Sequence, residues 1–302
     1  MLRVIFMGTP DFGVPALETL VNDPRFEVVH VFSQPDKPQG RKQEIMPTPI
    51  KAVAMKYNIP CSQPEKLRSK ENIELIQSLS PDYILVVAYG RIIPKSILDI
   101  PTYGCINIHG SLLPKYRGAS PIQAALLHGE KETGVTIMLL SEGMDEGAML
   151  QKIILPVTKE TTSESLFEDL SVLGAKILPE VLIGYAEGTV KAEEQDISQA
   201  TYCGKIEKEM GEIHPDNETA ENIYHKWQAF TPWPGIFMFE EGKRIKLLKI
   251  DIIETKYPST HFTHADKKLF LGTAAGSIEI LELQPEGKKP MSAEAYISGL
   301  RK

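Results

Sequence analysis

The chain has 302 residues, 42% hydrophobic and 24% charged, an ordinary globular balance with length enough for two cores. A net charge of −7 excludes a protein that is basic throughout, although a local cationic patch can still meet a polyanion. Three scattered cysteines, Cys61, Cys105 and Cys203, exclude a CxxC zinc module or a paired disulfide framework and fit a reducing, cytoplasmic setting.

No secretory leader is read at the start, and no apolar run nears the ~20 residues of a membrane span. Residues 2–7 are almost wholly apolar, as in a central parallel strand. The turn Gly8-Thr9-Pro10-Asp11-Phe12-Gly13 leads into a helix over 14–22. It lacks the Gly-Lys-Ser/Thr of a phosphate loop and is not GxGxxG. A second strand over 26–32 completes the strand–helix–strand unit of a doubly wound α/β sheet.

Residues 33–46 then read as a long polar loop with Pro35, Pro38 and Gly40, predicted without helix or strand. From Asp36 to Lys56 five basic residues face two acids, a local charge of about +3. A long structureless loop inside a compact domain is more often functional than not. Helices are predicted over 49–57 and 70–79, and a core strand over 82–89. The turn Tyr89-Gly90-Arg91-Ile92-Ile93-Pro94 closes that strand.

Residues 104–108 predict a short buried strand that breaks at His109-Gly110-Ser111-Leu112-Leu113-Pro114 into an irregular loop. Ligands of open parallel sheets bind at the carboxyl ends of strands. Asn107 and His109, at i and i+2, share one side of that strand end. An amide donor beside an imidazole suits a reaction in which a carbonyl oxygen gains charge. Taken alone, Asn-x-His is a common polar strand end. A second apolar strand over 134–140, running into Ser141-Glu142-Gly143-Met144-Asp145-Glu146-Gly147, adds a carboxylate to the set. The expectation is two strand ends in one sheet, Asn107 and His109 on one and Asp145 on the other.

A helix is predicted over 121–128, a strand over 149–157, and a long amphipathic helix over 163–186, with Leu166, Leu170, Leu173, Ile177 and Val181 near helical spacing. Polar, acidic sequence without a period follows, and a linker is placed at 190–206 between a first domain, 1–189, and a second, 207–302. The second holds a helix over 217–230, a Thr231-Pro232-Trp233-Pro234 corner and several short strands with Gly turns, the pattern of a small barrel. Its 13 basic and 14 acidic residues from Lys208 onward leave it nearly neutral. His261-x-x-His264 lacks a Cys or carboxylate at ligand spacing, so no metal site is expected there.

Asn107-x-His109-x-Ser111-Leu112-Leu113-Pro114-x-Tyr116-Arg117-Gly118, with Asp145 in Gly143-Met144-Asp145-Glu146-Gly147, resembles the folate-dependent formyltransferases. So do Phe6-Met7-Gly8-Thr9-Pro10-Asp11-Phe12, Gln34-Pro35-Asp36-Lys37-Pro38-x-Gly40-Arg41, Met46-Pro47-x-Pro49-Ile50-Lys51, Val87-Ala88-Tyr89-Gly90-Arg91-Ile92-Ile93-Pro94 and Phe230-x-Pro232-Trp233-Pro234. The resemblance covers nearly the whole chain. It implies a Rossmann-like α/β formyltransferase domain and a small OB-like β-barrel. It implies transfer of the formyl group of 10-formyltetrahydrofolate to the α-amino group of initiator methionyl-tRNA, releasing tetrahydrofolate, by a monomer without metal. Asn107, His109 and Asp145 would be catalytic, with His109 as imidazolium. Tyr89, Arg91, Ile92, Ile93, Ser111, Leu112, Leu113, Pro114 and Leu140 would border the folate. Lys37, Arg41, Lys42, Lys205 and Lys208 would meet tRNA. A nucleotide-sugar formyltransferase, a formyltetrahydrofolate hydrolase and a non-catalytic RNA-binding protein remain as alternatives. The basic loop argues against the first two, and the intact Asn–His–Asp set against the third.

Overall fold

The computed structural model describes residues 1–39 and 44–300. Arg41 and Lys42 therefore lie outside the described residues. The chain divides into two compact units. Unit 1 comprises Met1–Pro121, Glu132–Pro156 and Phe167–Tyr202, and unit 2 comprises Ile122–Lys131, Val157–Leu166 and Cys203–Lys302.

Unit 1 begins with β1 (Leu2–Gly8), α1 (Val14–Asn22) and β2 (Phe26–Phe32). A two-stranded hairpin follows, β3 (Lys37–Gln39) and β4 (Glu44–Met46), with Lys37 opposite Met46. The loop expected without strand thus carries two short ones, and this corrects the sequence reading. The signal was weak because Pro38 and the polar side chains hide any alternation, and β4 is exposed along its whole length. Thr48 caps α2 (Pro49–Lys56) by accepting from the Lys51 backbone N–H at 3.2 Å. After β5 (Cys61–Ser62), Ser69 caps α3 (Lys70–Leu79) in the same way. Then come β6 (Tyr83–Val87), the short α4 (Lys95–Leu98), β7 (Cys105–His109) and β8 (Arg117–Gly118).

The helix α5 (Pro121–Leu127) precedes β9 (Glu132–Leu139), β10 (Met149–Pro156) and the long α6 (Ser163–Ala186). The unit boundary falls within β11 (Tyr202–Cys203). Residues 190–202 of the expected linker thus cluster with unit 1, where Gln195 is buried.

Seven strands form one sheet in the order β10-β9-β7-β6-β1-β2-β5. The strands from β7 to β5 run parallel, whereas β9 is antiparallel to both β7 and β10. Strand β6 is buried throughout and β1 over its last five residues, which accounts for their unbroken apolar sequence. Strand order reverses between β1 and β6, the crevice where a doubly wound sheet accepts ligands.

Unit 2 holds α7 (Ala220–Phe230), then β12 (Ile236–Glu240), β13 (Lys243–Ile253), β14 (Thr263–Ala265), β15 (Lys268–Gly272), β16 (Ser277–Pro285), β17 (Met291–Ser292) and α8 (Ala293–Leu300). Its antiparallel sheet runs β12-β13-β16-β15-β14, with β17 beside β16. Thr219 caps α7, and the indole N–H of Trp227 donates to the Leu248 carbonyl at 2.9 Å, pinning the helix to β13. Glu240, ending β12, accepts from His261 Nδ1 at 3.0 Å and from the Phe262 backbone N–H at 3.2 Å, so side-chain bonds curl the sheet towards β14.

Candidate active site

The site starts at β7. Ile106 and Ile108 are buried, and Ile108 lies against α6, where a Cβ added to Gly174 would come within 2.7 Å of its Cγ2. Alternation then turns Asn107 and His109 to the opposite face. Among the described residues the half-buried Asn107 amide has no hydrogen-bond partner.

His109 is almost fully buried, and its Nε2 lies 3.0 Å from the Tyr116 carbonyl. A carbonyl only accepts, so Nε2 carries a proton. Nδ1 faces Asp145 Oδ2 at 3.8 Å. Burial pushes the imidazole below its ordinary value, against the opposing pull of the Asp145 carboxylate and the Tyr116 carbonyl. The net direction favours the neutral ring, whose Nδ1 lone pair would face Asp145. The imidazolium expected from sequence is the form that burial disfavours and that Asp145 and the Tyr116 carbonyl favour.

Asp145 also accepts from the Gly118 backbone N–H at 2.8 Å. Its route to the site differs from the expected pair of strand ends. Because β9 is antiparallel to β7, Leu139 lies opposite Ile106, while Thr136 is opposite His109. Three residues of strand span about 10 Å. The 140–148 connection must run back along the sheet to bring Asp145 to His109. It does so with Asp145 at a φ of +53°, a left-handed conformation that Asp tolerates. Gly147 sits so close to the Leu139 carbonyl that a Cβ there would lie 1.8 Å from its oxygen.

The loop after His109 is fixed from within. Thr136 Oγ1 donates to the Ser111 carbonyl at 2.7 Å and accepts from the Leu113 backbone N–H at 3.1 Å. Ser111 Oγ donates to the Lys115 carbonyl at 2.6 Å. Leu113 is buried with Met138 and Met149, and Leu112 covers Gly134. The Leu113–Pro114 peptide is cis.

The turn after β6 stands at the β1/β6 crevice. The Tyr89 carbonyl accepts from Gln34 Nε2 at 2.8 Å and from Thr9 Oγ1 at 3.2 Å. The Tyr89 and Ile93 side chains are buried in the core beside Val86 and Phe32, with Leu140 packed against the same cluster. Arg91 donates to the Glu65 carbonyl. Ile92 is 88% exposed.

Of the proposed basic contacts, Lys37, Lys205 and Lys208 are exposed. Two lysines counted in the +3 loop charge are engaged. Lys51 Nζ lies 2.5 Å from Asp36 Oδ2, and Lys56 Nζ lies 2.7 Å from Glu18 Oε1.

Residues 2–182 match the family model described as formyl transferase, and residues 205–301 match that of the formyl transferase C-terminal domain. The chain belongs to the formyl transferase family. This formyltransferase is 42% identical over 301 residues to methionyl-tRNA formyltransferase of Geobacter sulfurreducens, covering 99% of this chain and 94% of that protein. It is 41% identical over 303 residues to methionyl-tRNA formyltransferase of Bacillus subtilis, covering 99% and 95%. Among solved structures, the N-formyltransferase from Helicobacter canadensis, in complex with folinic acid and dTDP-3-aminofucose, superposes with a TM-score of 0.66 at 18% identity, covering 93% of this chain and 99% of that one. HypX from Aquifex aeolicus, in complex with tetrahydrofolic acid, gives 0.64 at 16% identity, and this chain spans about half of it, 48%. Both share the fold.

Sequence reasoning missed Gln195 and treated Arg117 only as part of a motif. Arg117 is buried and donates to Gln195 Oε1 through Nε at 3.0 Å and Nη2 at 2.8 Å. Gln195 Nε2 donates to the carbonyls of Asp145 and Gly147, each at 2.8 Å. Nothing in the acidic, aperiodic sequence around Gln195 signals burial.

Proposed function

We propose that this formyltransferase moves the formyl group of 10-formyltetrahydrofolate to the α-amino group of initiator methionyl-tRNA. The observation that carries the acceptor is the relationship over nearly the whole chain, at 41–44% identity, to proteins named methionyl-tRNA formyltransferase. The donor follows from the transferred group and from the folate-type ligands of the fold's solved neighbours.

The residue chemistry fits this reaction. The amine attacks the formyl carbon, and the carbonyl oxygen becomes an oxyanion. The unpartnered Asn107 amide donates to that oxygen. The new C–N bond leaves the former amine with an extra proton. Neutral His109 takes it at Nδ1, and Asp145 stabilises the resulting imidazolium. When the tetrahedral intermediate collapses, the bond from carbon to the folate nitrogen breaks. That nitrogen takes the proton from His109 and leaves as tetrahydrofolate. Acyl transfer between two amines asks mainly for orientation and oxyanion stabilisation.

The folate ring would enter at the β1/β6 crevice, read by backbone groups of the Tyr89–Pro94 turn and flanked by Arg91, Ile92, Leu112 and Leu140. The buried side chains of Tyr89, Ile93, Ser111, Leu113 and Pro114 would shape that wall from behind. Lys37, Arg41, Lys42, Lys205 and Lys208 would face the tRNA phosphates. The protein would act as a cytoplasmic monomer.

Mixing the protein with 10-formyltetrahydrofolate and charged initiator tRNA should yield formylmethionyl-tRNA. Formylation of a nucleotide amino sugar in its place, or release of formate alone, would overturn the proposal.

A further inference from the structure

Asp145 must stay close to His109 although it stands on a connection that runs back across the sheet and holds a left-handed residue. Its carboxylate has one backbone anchor, the Gly118 N–H. The main chain of the same loop is held by Gln195, whose amide nitrogen spends both hydrogens on the Asp145 and Gly147 carbonyls. The two bonds on the Asp145 and Gly147 carbonyls therefore come from one side chain, fifty residues from Asp145 in the chain.

Gln195 is itself oriented. Its amide oxygen takes two bonds from Arg117, so the amide cannot flip without facing a cation with its own N–H groups. Arg117 is 2% exposed, and its carboxylate neighbour, Glu146, is 3.7 Å away. The guanidinium is also 5.9 Å from the Tyr202 ring. The Arg117 backbone N–H donates to the Thr201 carbonyl at 2.9 Å, so the segment after α6 is tied to the same residue at both ends of the contact.

The connections close a ring. Tyr116 holds His109 through its carbonyl, Gly118 holds the Asp145 carboxylate, and Arg117 between them holds Gln195, which holds the Asp145 main chain. We infer that Gln195, oriented by Arg117, is the positioning residue that keeps the Asp145 carboxylate against His109. This inference rests on the roles given to His109 and Asp145 under the proposed function.

Gln195→Glu tests it. A carboxylate still satisfies Arg117, so the fold is retained, but it cannot donate to the two carbonyls. Expected are a thermal melt like the wild type's and a kcat roughly 10- to 100-fold lower, the scale of an ångström's misplacement, with little change in KM for either substrate. Gln195→Leu gives the second readout. With Asp145 released, the ring of His109 loses the charge that favours its protonated form, and its NMR titration should move to lower pH. A wild-type kcat in Gln195→Glu, or a loss of kcat that disappears wherever the variant is fully folded, overturns the inference. Asp145→Asn serves as the control. If it is fully active, the role of Asp145 itself is wrong. If it is impaired while both Gln195 variants are not, only the positioning role fails.

Discussion

At the scale of single residues, the site combines one free donor with one buried base. Asn107 has no partner to lose, so Asn107→Ala removes only what the substrate's developing oxyanion would gain. The expected result is a fall in kcat on the order of 100-fold with folate affinity nearly unchanged, as for loss of an oxyanion donor. A change confined to KM would move Asn107 from the transition state to ground-state binding. His109 predicts a pH dependence of definite sign. Burial places its folded-state value below the ordinary imidazole range, so it is neutral above that range and takes a proton only as pH falls further. The acid limb of kcat should therefore lie below pH ~6.5. Asp145 pulls the other way, so Asp145→Asn should shift the ring titration lower still while reducing kcat. A titration that moved upward in this variant would show that Asp145 does not face the ring as an anion. Stability follows the same sign. The unfolded chain protonates first, so this contribution is present above pH ~6.5 and is lost as pH falls towards the folded value. Asn107 and His109 were legible because strand alternation and the Gly-Ser break expose them. The burial that disfavours the charged ring was not, since burial is a property of the fold.

At the scale of elements, the position of β7 depends on a helix packed behind it. Gly174 of α6 leaves room for Ile108, which stands between Asn107 and His109. Alanine in a helix gains about 1 kcal/mol over glycine, while overpacking a filled core costs about 1–3 kcal/mol. Gly174→Ala should thus be nearly neutral or mildly destabilising. Gly174→Val adds bulk and a β-branch without more helix propensity, so overpacking dominates, and urea denaturation should show a loss of at least about 1 kcal/mol together with a lower kcat. A Gly174→Val enzyme of full stability would mean that α6 yields and does not fix β7. The elements themselves were mostly legible, and α1, α3 and α6 span the residues read as helices from sequence. The direction of β9 was not. An apolar run specifies a buried strand whichever way it runs, and here the antiparallel ladder changed how Asp145 reaches the site. Gln195 was hidden for a related reason. A polar residue in an acidic, aperiodic stretch reads as solvated until Arg117, distant in sequence, is seen to hold it.

At the scale of the whole molecule, a chain of net charge −7 must attract a polyanion by local cations. Counting cations along the sequence overstates how many are available to that patch. Asp36 holds Lys51 and also accepts from Gln63 Nε2 at 2.6 Å, while Gln63 donates through the same nitrogen to the Gln34 carbonyl at 2.7 Å. Gln34 in turn reaches the Tyr89 carbonyl. Lys51 therefore belongs to a knot between the base of the β3–β4 hairpin and the turn after β6, and Lys56 is occupied by Glu18. Of the five cations counted from Asp36 to Lys56, Lys37 is exposed, Arg41 and Lys42 lie outside the described residues, and these three are the ones proposed for tRNA. The two groups should separate by salt. A cation that contacts phosphate contributes about one unit to the slope of log affinity against log salt. Arg41→Ala and Lys37→Ala should each raise KM for methionyl-tRNA and flatten that slope by about one unit, leaving transfer at saturating tRNA less affected. Lys51→Met should leave the slope unchanged and lower stability, because Asp36 keeps its other partners but loses its cation. Arg41 carries a sharper alternative, since its planar guanidinium could read a base edge. In that case selectivity for initiator tRNA would relax along with the affinity. If Lys51→Met flattened the salt slope as much as Arg41→Ala, the division between structural and substrate-facing cations would fail, and tRNA would have to displace Asp36 on binding.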